Sequence, residues 1–107
     1  MSSITLPKPI EDFVNATNAH DLDGVVATFA DQASVGDDGH THTSPDAIRA
    51  WVDHDIITPK VVLTPQSYEN GRLVAGSEAD LPGGPWVFAF DFVTTDDRIS
   101  DLKISLA

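Results

Sequence analysis

The sequence predicts an α+β fold, with helices in the first half and a bent antiparallel sheet in the second. Apolar residues recur at helical spacing only before Thr58. From Lys60 onward the period falls to two, and turn pairs such as Asn70-Gly71 and Gly83-Gly84 separate the alternating runs. Helices followed by strands, rather than the two in alternation, is the order of an α+β domain and not of βαβ units.

Each element has its own signal. Ile10, Phe13, Val14 and Thr17 stand at i, i+3, i+4 and i+7, with Pro9 at the entry and Glu11 and Asp12 in the first turn, which predicts a helix over 9–19. Leu22, Val25, Val26 and Phe29 repeat the spacing, and Asp21 is placed to cap that second, shorter helix. A short strand over 34–37 and a loop over 39–43 follow. Ser44-Pro45 then starts a third helix, buried through Ile48, Trp51 and Val52 and stopped at Thr58-Pro59.

Four strands complete the chain, over 61–68, 73–80, 86–93 and 99–106. Pro65 marks a bulge or an edge in the first of them. In the third, Trp86, Phe88, Phe90 and Phe92 fall on one face and Val87, Ala89, Asp91 and Val93 on the other. The apolar register slips between Ile99 and Leu102, which predicts a β-bulge near Ser100 and Asp101.

The 107 residues, 41% hydrophobic, suit one domain spanning 1–107 with one core. No apolar run approaches the roughly 20 residues that cross a bilayer. The start MSSITLPKPI has neither a basic nor an apolar leader segment, so the expected location is the cytoplasm. The absence of Cys removes thiolate chemistry and disulfides. A net charge of -11, from 17 acidic and 6 basic residues, argues against nucleic acid and anionic membranes as partners. No glycine-rich phosphate loop is present, and no cofactor is expected.

The run NAHDLDGVVATFADQASVGDDG and the later SPDAIRAW resemble the ketosteroid isomerases and the SnoaL-like polyketide cyclase branch of the nuclear-transport-factor-2-like superfamily. The resemblance covers nearly the whole chain. It implies a cone-shaped α+β barrel, with three N-terminal helices packed on a curved antiparallel sheet around one apolar pocket. It also implies that Asp37 takes the place of the isomerase general base and that Trp51 matches an aromatic lining the pocket. Two departures stand beside these matches. Phe13 occupies the place of an oxyanion-stabilising Tyr, and the second donor, an Asp in the isomerases, falls near Phe88.

The expected site is therefore Asp37 as base with His42 assisting at the pocket mouth, and Phe13, Thr17, Trp51, Phe88 and Phe90 as the substrate wall. Asp37 qualifies as a base because Phe13, Trp51 and the strand aromatics would shield it from water; as a turn residue before Asp38-Gly39 it would be merely structural. His40 and His42 project to one side in extended chain and, with Asp37 or Asp38, would make a two-histidine, one-carboxylate set. That set requires the loop to fold back, so no metal is assigned. Arg49 is expected to pair with Asp46 or Asp53 on its own helix, His54 and Asp55 to be solvated at a helix end, and Tyr68 to be exposed.

Three function classes follow: an isomerase- or cyclase-type enzyme acting on a small hydrophobic carbonyl compound, a non-catalytic ligand-binding or protein-interaction domain, or a dimerisation module whose collapsed core leaves no cavity. The partly apolar outer sheet face also predicts a homodimer, in which Asp91 needs a partner such as Lys60, Arg72 or Lys103.

Overall fold

The computed structural model describes residues 4–37 and 39–107. Helix α1 spans Lys8–Asn18 and α2 Leu22–Ala27. Strand β1 spans Phe29–Asp37 and β2 His40–His42, and helix α3 runs over Pro45–Val52. Strands β3 to β6 are Val62–Glu69, Arg72–Glu78, Trp86–Thr95 and Arg98–Leu106. The architecture is α+β, with the helices set against a curved six-stranded sheet of order β2-β1-β6-β5-β4-β3. Among the described residues no helix is long and apolar enough to cross a membrane.

The caps fall where the side chains dictate. Asp21 Oδ1 accepts from the Gly24 N–H at 3.1 Å, and Ser44 Oγ accepts from the Ala47 N–H at 3.0 Å with Pro45 in the first turn of α3. Asn70 and Gly71, both at positive φ, make the β3–β4 turn, and Asp96 and Asp97, also at positive φ, make the β5–β6 turn. The anticipated bulge is at Ser100: Val93 pairs with Asp101 and Thr94 with Ile99, leaving Ser100 without an opposite residue. Its hydroxyl donates to the Val93 carbonyl and accepts from the Thr95 hydroxyl, both at 3.1 Å. The extra residue lets Ile99 and Leu102, three apart, both bury on the core side. On the edge strand β3 the register shifts between Pro65 and Ser67, so both readings of Pro65 hold.

Three expectations are corrected. The sheet is mixed, because β1 runs parallel to β6 and only the remaining pairings are antiparallel. Phe29 is the first residue of β1, paired with Ile99, and not the last of α2. The segment over 40–42 is a strand, zipped to β1 through Asp37↔His40 and Val35↔His42. The polar run Asp31-Gln32 hid β1, whose register shifts between Phe29 and Ser34.

Helix α3 also ends earlier than its apolar stripe suggested. It gives way at Asp53–Ile57 to a π-helical turn, in which the Thr58 N–H reaches back to the Asp53 carbonyl at 2.9 Å and the Val61 N–H to the Ile56 carbonyl at 3.0 Å. Phe13 is the centre of the core, in edge-on contact with Phe29, Phe90 and Phe92 at centroid separations of 6.1, 6.4 and 5.5 Å. The last turn of α1 is clipped to the sheet edge. The Asn18 amide donates to the Leu63 carbonyl at 2.9 Å and accepts from the Leu63 N–H at 2.7 Å, satisfying both backbone groups at once.

Candidate functional site

Strand alternation sends Leu63, Ser77, Trp86, Phe88, Phe90, Ile104 and Asp37 to the face that the helices cover. Between that face, α1 and the π-helical turn lies a mainly apolar cavity of about 190 Å³. Phe13 and Thr17 line it from α1, Trp51 from α3, and Asp55 and Ile56 from the π turn. Exposed Leu81 and half-buried Trp86 border it at the sheet end.

Asp37 is half-buried at the end of β1, and its Oδ2 accepts a 3.0 Å hydrogen bond from the Trp51 indole Nε1–H. This bond orients the carboxylate at the cavity wall while leaving Oδ1 free of any hydrogen bond within the protein among the described residues. Thr17 is 0% exposed, and its hydroxyl oxygen has no hydrogen-bond partner among the described residues. Ser77, also buried, brings a second hydroxyl to the same cavity.

All the wall residues expected from sequence thus meet in one place: Phe13, Thr17, Trp51, Phe88 and Phe90 line the cavity together with Asp37. His42 does not. Its ring packs against Trp51 at a centroid separation of 6.3 Å, outside the residues that line the cavity, and it makes no hydrogen bond to Asp37. His40 is exposed on β2, and Asp38 lies outside the described residues. Among the described residues no group of three or more His, Asp or Glu is placed to hold a metal ion.

Residues 10–104 match the family described as the SnoaL-like domain. The chain belongs to that family.

This SnoaL-like chain is similar to solved structures over most of its length. A candidate polyketide cyclase from Sinorhizobium meliloti superposes with a TM-score of 0.83 at 27% identity, covering 94% of this chain and 95% of that one. An NTF2-like protein of unknown function from Cytophaga hutchinsonii gives 0.73 at 10% identity, with 99% and 93% covered. A Mycobacterium tuberculosis protein, solved in complex with estradiol-17β-hemisuccinate, gives 0.70 at 20% identity, with 96% and 95% covered. Among curated proteins nothing matches. The fold is therefore of the nuclear-transport-factor-2-like type, and the family is the SnoaL-like domain.

Several cavity residues of this SnoaL-like domain were not singled out from sequence. Asp55 and Ile56 reach the wall because the π turn rotates them there, and helical periodicity carries no signal for that. Asp55 is thus a second cavity carboxylate, held at 2.9 Å from Nδ1 of exposed His54, whose pKa is raised above its ordinary value by the hydrogen bond to Asp55 and then by that carboxylate's charge. Ser77 was legible in principle, since strict alternation from Leu73 assigns it to the inner face. Arg49 pairs at 2.8 Å with Asp23 of α2, not with Asp46 or Asp53 on its own helix. Tyr68, expected to be exposed, is half-buried against the core.

Proposed function

We propose that this SnoaL-like domain binds a small, largely apolar carbonyl compound in the cavity and that Asp37 acts on it as a base, in the manner of an isomerase or cyclase. The observation that carries the reading is the carboxylate of Asp37, oriented by Trp51 at the wall of an otherwise apolar chamber. In the elementary step one oxygen of Asp37 takes a proton from the carbon next to the carbonyl, and the C–H electron pair moves into the C–C bond as the carbonyl π pair passes to oxygen. The resulting enolate is reprotonated at the same or another carbon. Likeness to a candidate polyketide cyclase and to a steroid-bound protein supports the ligand class. A chamber of about 190 Å³ is small for a ligand site and suits a ligand of one or two rings better than a steroid.

The second reading is binding without turnover, favoured by Phe13 and Phe88, which bring no donor to the positions that stabilise an enolate in the related isomerases. Solvent-deuterium exchange separates the two. The protein should accelerate deuterium uptake at C2 of 1-indanone, followed by NMR, and Asp37→Asn should abolish the acceleration. The amide oxygen of Asn can still accept from Trp51, so the variant should stay folded. Full exchange activity in Asp37→Asn removes Asp37 from the mechanism, whereas binding without exchange in the native protein selects the second reading.

We propose further that two copies pair through the outer face of the sheet. Val87 and Val93 are 40% and 55% exposed there, beside half-buried Val74. Asp91 on that face is already paired, its two oxygens accepting from Arg72 Nε at 2.8 Å and Nη2 at 3.0 Å, so covering it strands no carboxylate.

A further inference from the structure

The Thr17 hydroxyl is a buried polar group with no hydrogen-bond partner among the described residues. Such orphans are uncommon, because stripping a hydroxyl of water without a replacement partner costs about 1–3 kcal/mol. A threonine inside a helix usually turns its hydroxyl to the carbonyl one turn back, yet here the hydroxyl makes no such bond. Valine has the same shape and would fill the position without that cost, so packing alone gives no reason for the hydroxyl. What Thr17 does have on one side is the cavity, shared with Asp37, Ser77 and the aromatic wall.

We infer that the Thr17 hydroxyl is the hydrogen-bond donor for the oxygen of the bound ligand, which makes Thr17 the residue that selects a carbonyl compound over a hydrocarbon of the same shape. The inference rests on the cavity being the ligand site, as proposed above, and supplies what that reading lacked. Phe13 cannot donate, but Thr17 stands one helical turn further along the same face of α1. Asp37, when ionised, is purely an acceptor and cannot hold a ligand carbonyl. The hydroxyl can hold it, and its bond strengthens as the carbonyl oxygen gains negative charge in the enolate. The chamber of about 190 Å³ is somewhat larger than the ~150 Å³ apolar cavity that accepts benzene, so the ligand class is a one- or two-ring ketone.

The test compares 1-indanone with indane, which has the same rings and no oxygen. Their affinities for the native protein, Thr17→Val and Thr17→Ser are measured by calorimetry, alongside the thermal midpoint of each free protein. The native protein should favour the ketone, and Thr17→Val should reduce the ratio of ketone to hydrocarbon affinity by roughly fivefold to tenfold. Its free form should melt no lower than the native protein, since the orphan hydroxyl is gone. Thr17→Ser, which keeps the hydroxyl, should keep the ratio. An unchanged ratio in Thr17→Val, with both compounds still bound, overturns the inference and leaves the cavity reading intact. Native protein that binds neither compound overturns both.

Discussion

The indole of Trp51 donates a 3.0 Å hydrogen bond to Asp37, tying helix α3 to the last residue of β1 across fourteen positions of sequence. Trp51 is almost fully buried and Asp37 half-buried, so the bond forms where water competes poorly for the N–H. It is a charge-assisted bond between two elements that share no other side-chain hydrogen bond among the described residues.

A double-mutant cycle measures it. Trp51→Phe keeps an aromatic ring and removes the donor, and Asp37→Ala removes the acceptor. Urea unfolding of the two single variants and the double should give a coupling of about 1–2 kcal/mol, toward the lower end for a bond to a charged group because Asp37 keeps some water. Strict additivity would mean that the bond does not hold the carboxylate in place.

The His54–Asp55 pair gives a pH signature at the cavity rim. Because the folded pKa of His54 is raised, its contribution to stability is fully present below the unfolded value and is lost as pH rises through the folded one. In an NMR titration the His54 ring should therefore have its midpoint above 6.5, and Asp55→Asn should bring it back down toward 6.5. A native midpoint at or below 6.5 contradicts the pairing.

Pairing through the outer sheet face predicts both a mass and a salt response. Sedimentation equilibrium at micromolar concentration should give twice 11.5 kDa for the native chain, and Val87→Lys should weaken the dimer more than any change on the helix surface. Each copy carries a net charge of -11, so added salt should strengthen association by screening the repulsion. A mass near that of the monomer refutes this assembly.

Much of this architecture was legible in particular residues. The i, i+3, i+4, i+7 pattern from Ile10 to Thr17 yielded α1 and put Phe13 and Thr17 on one face, as the structure has them. The slip between Ile99 and Leu102 located the bulge at Ser100, because a strand can bury both only with one extra residue between them. Strand β1 was harder to read: half of it is polar, and its partner β6 lies far along the chain, so local pattern carries no trace of the parallel pairing. The sequence expectation puts His42 at the pocket mouth beside Asp37. The hairpin instead pairs it with Val35, and its ring packs against Trp51, a tertiary arrangement that spacing does not encode.

The parallel pairing of β1 with β6 bears on how the protein is made. Asp37 takes its register from Ile104, so the strand that ends in the candidate base, with its hairpin partner β2, joins the rest of the sheet only through β6, the last of the described strands in chain order. Closing a loop of that length is entropically costly, and it offers no reward until both strands are present. The hairpins β3–β4 and β5–β6 can zip locally at once, with the helical segments waiting beside them. A nascent chain would thus hold most of its secondary structure before it held a working chamber, and ligand could stabilise only the finished molecule.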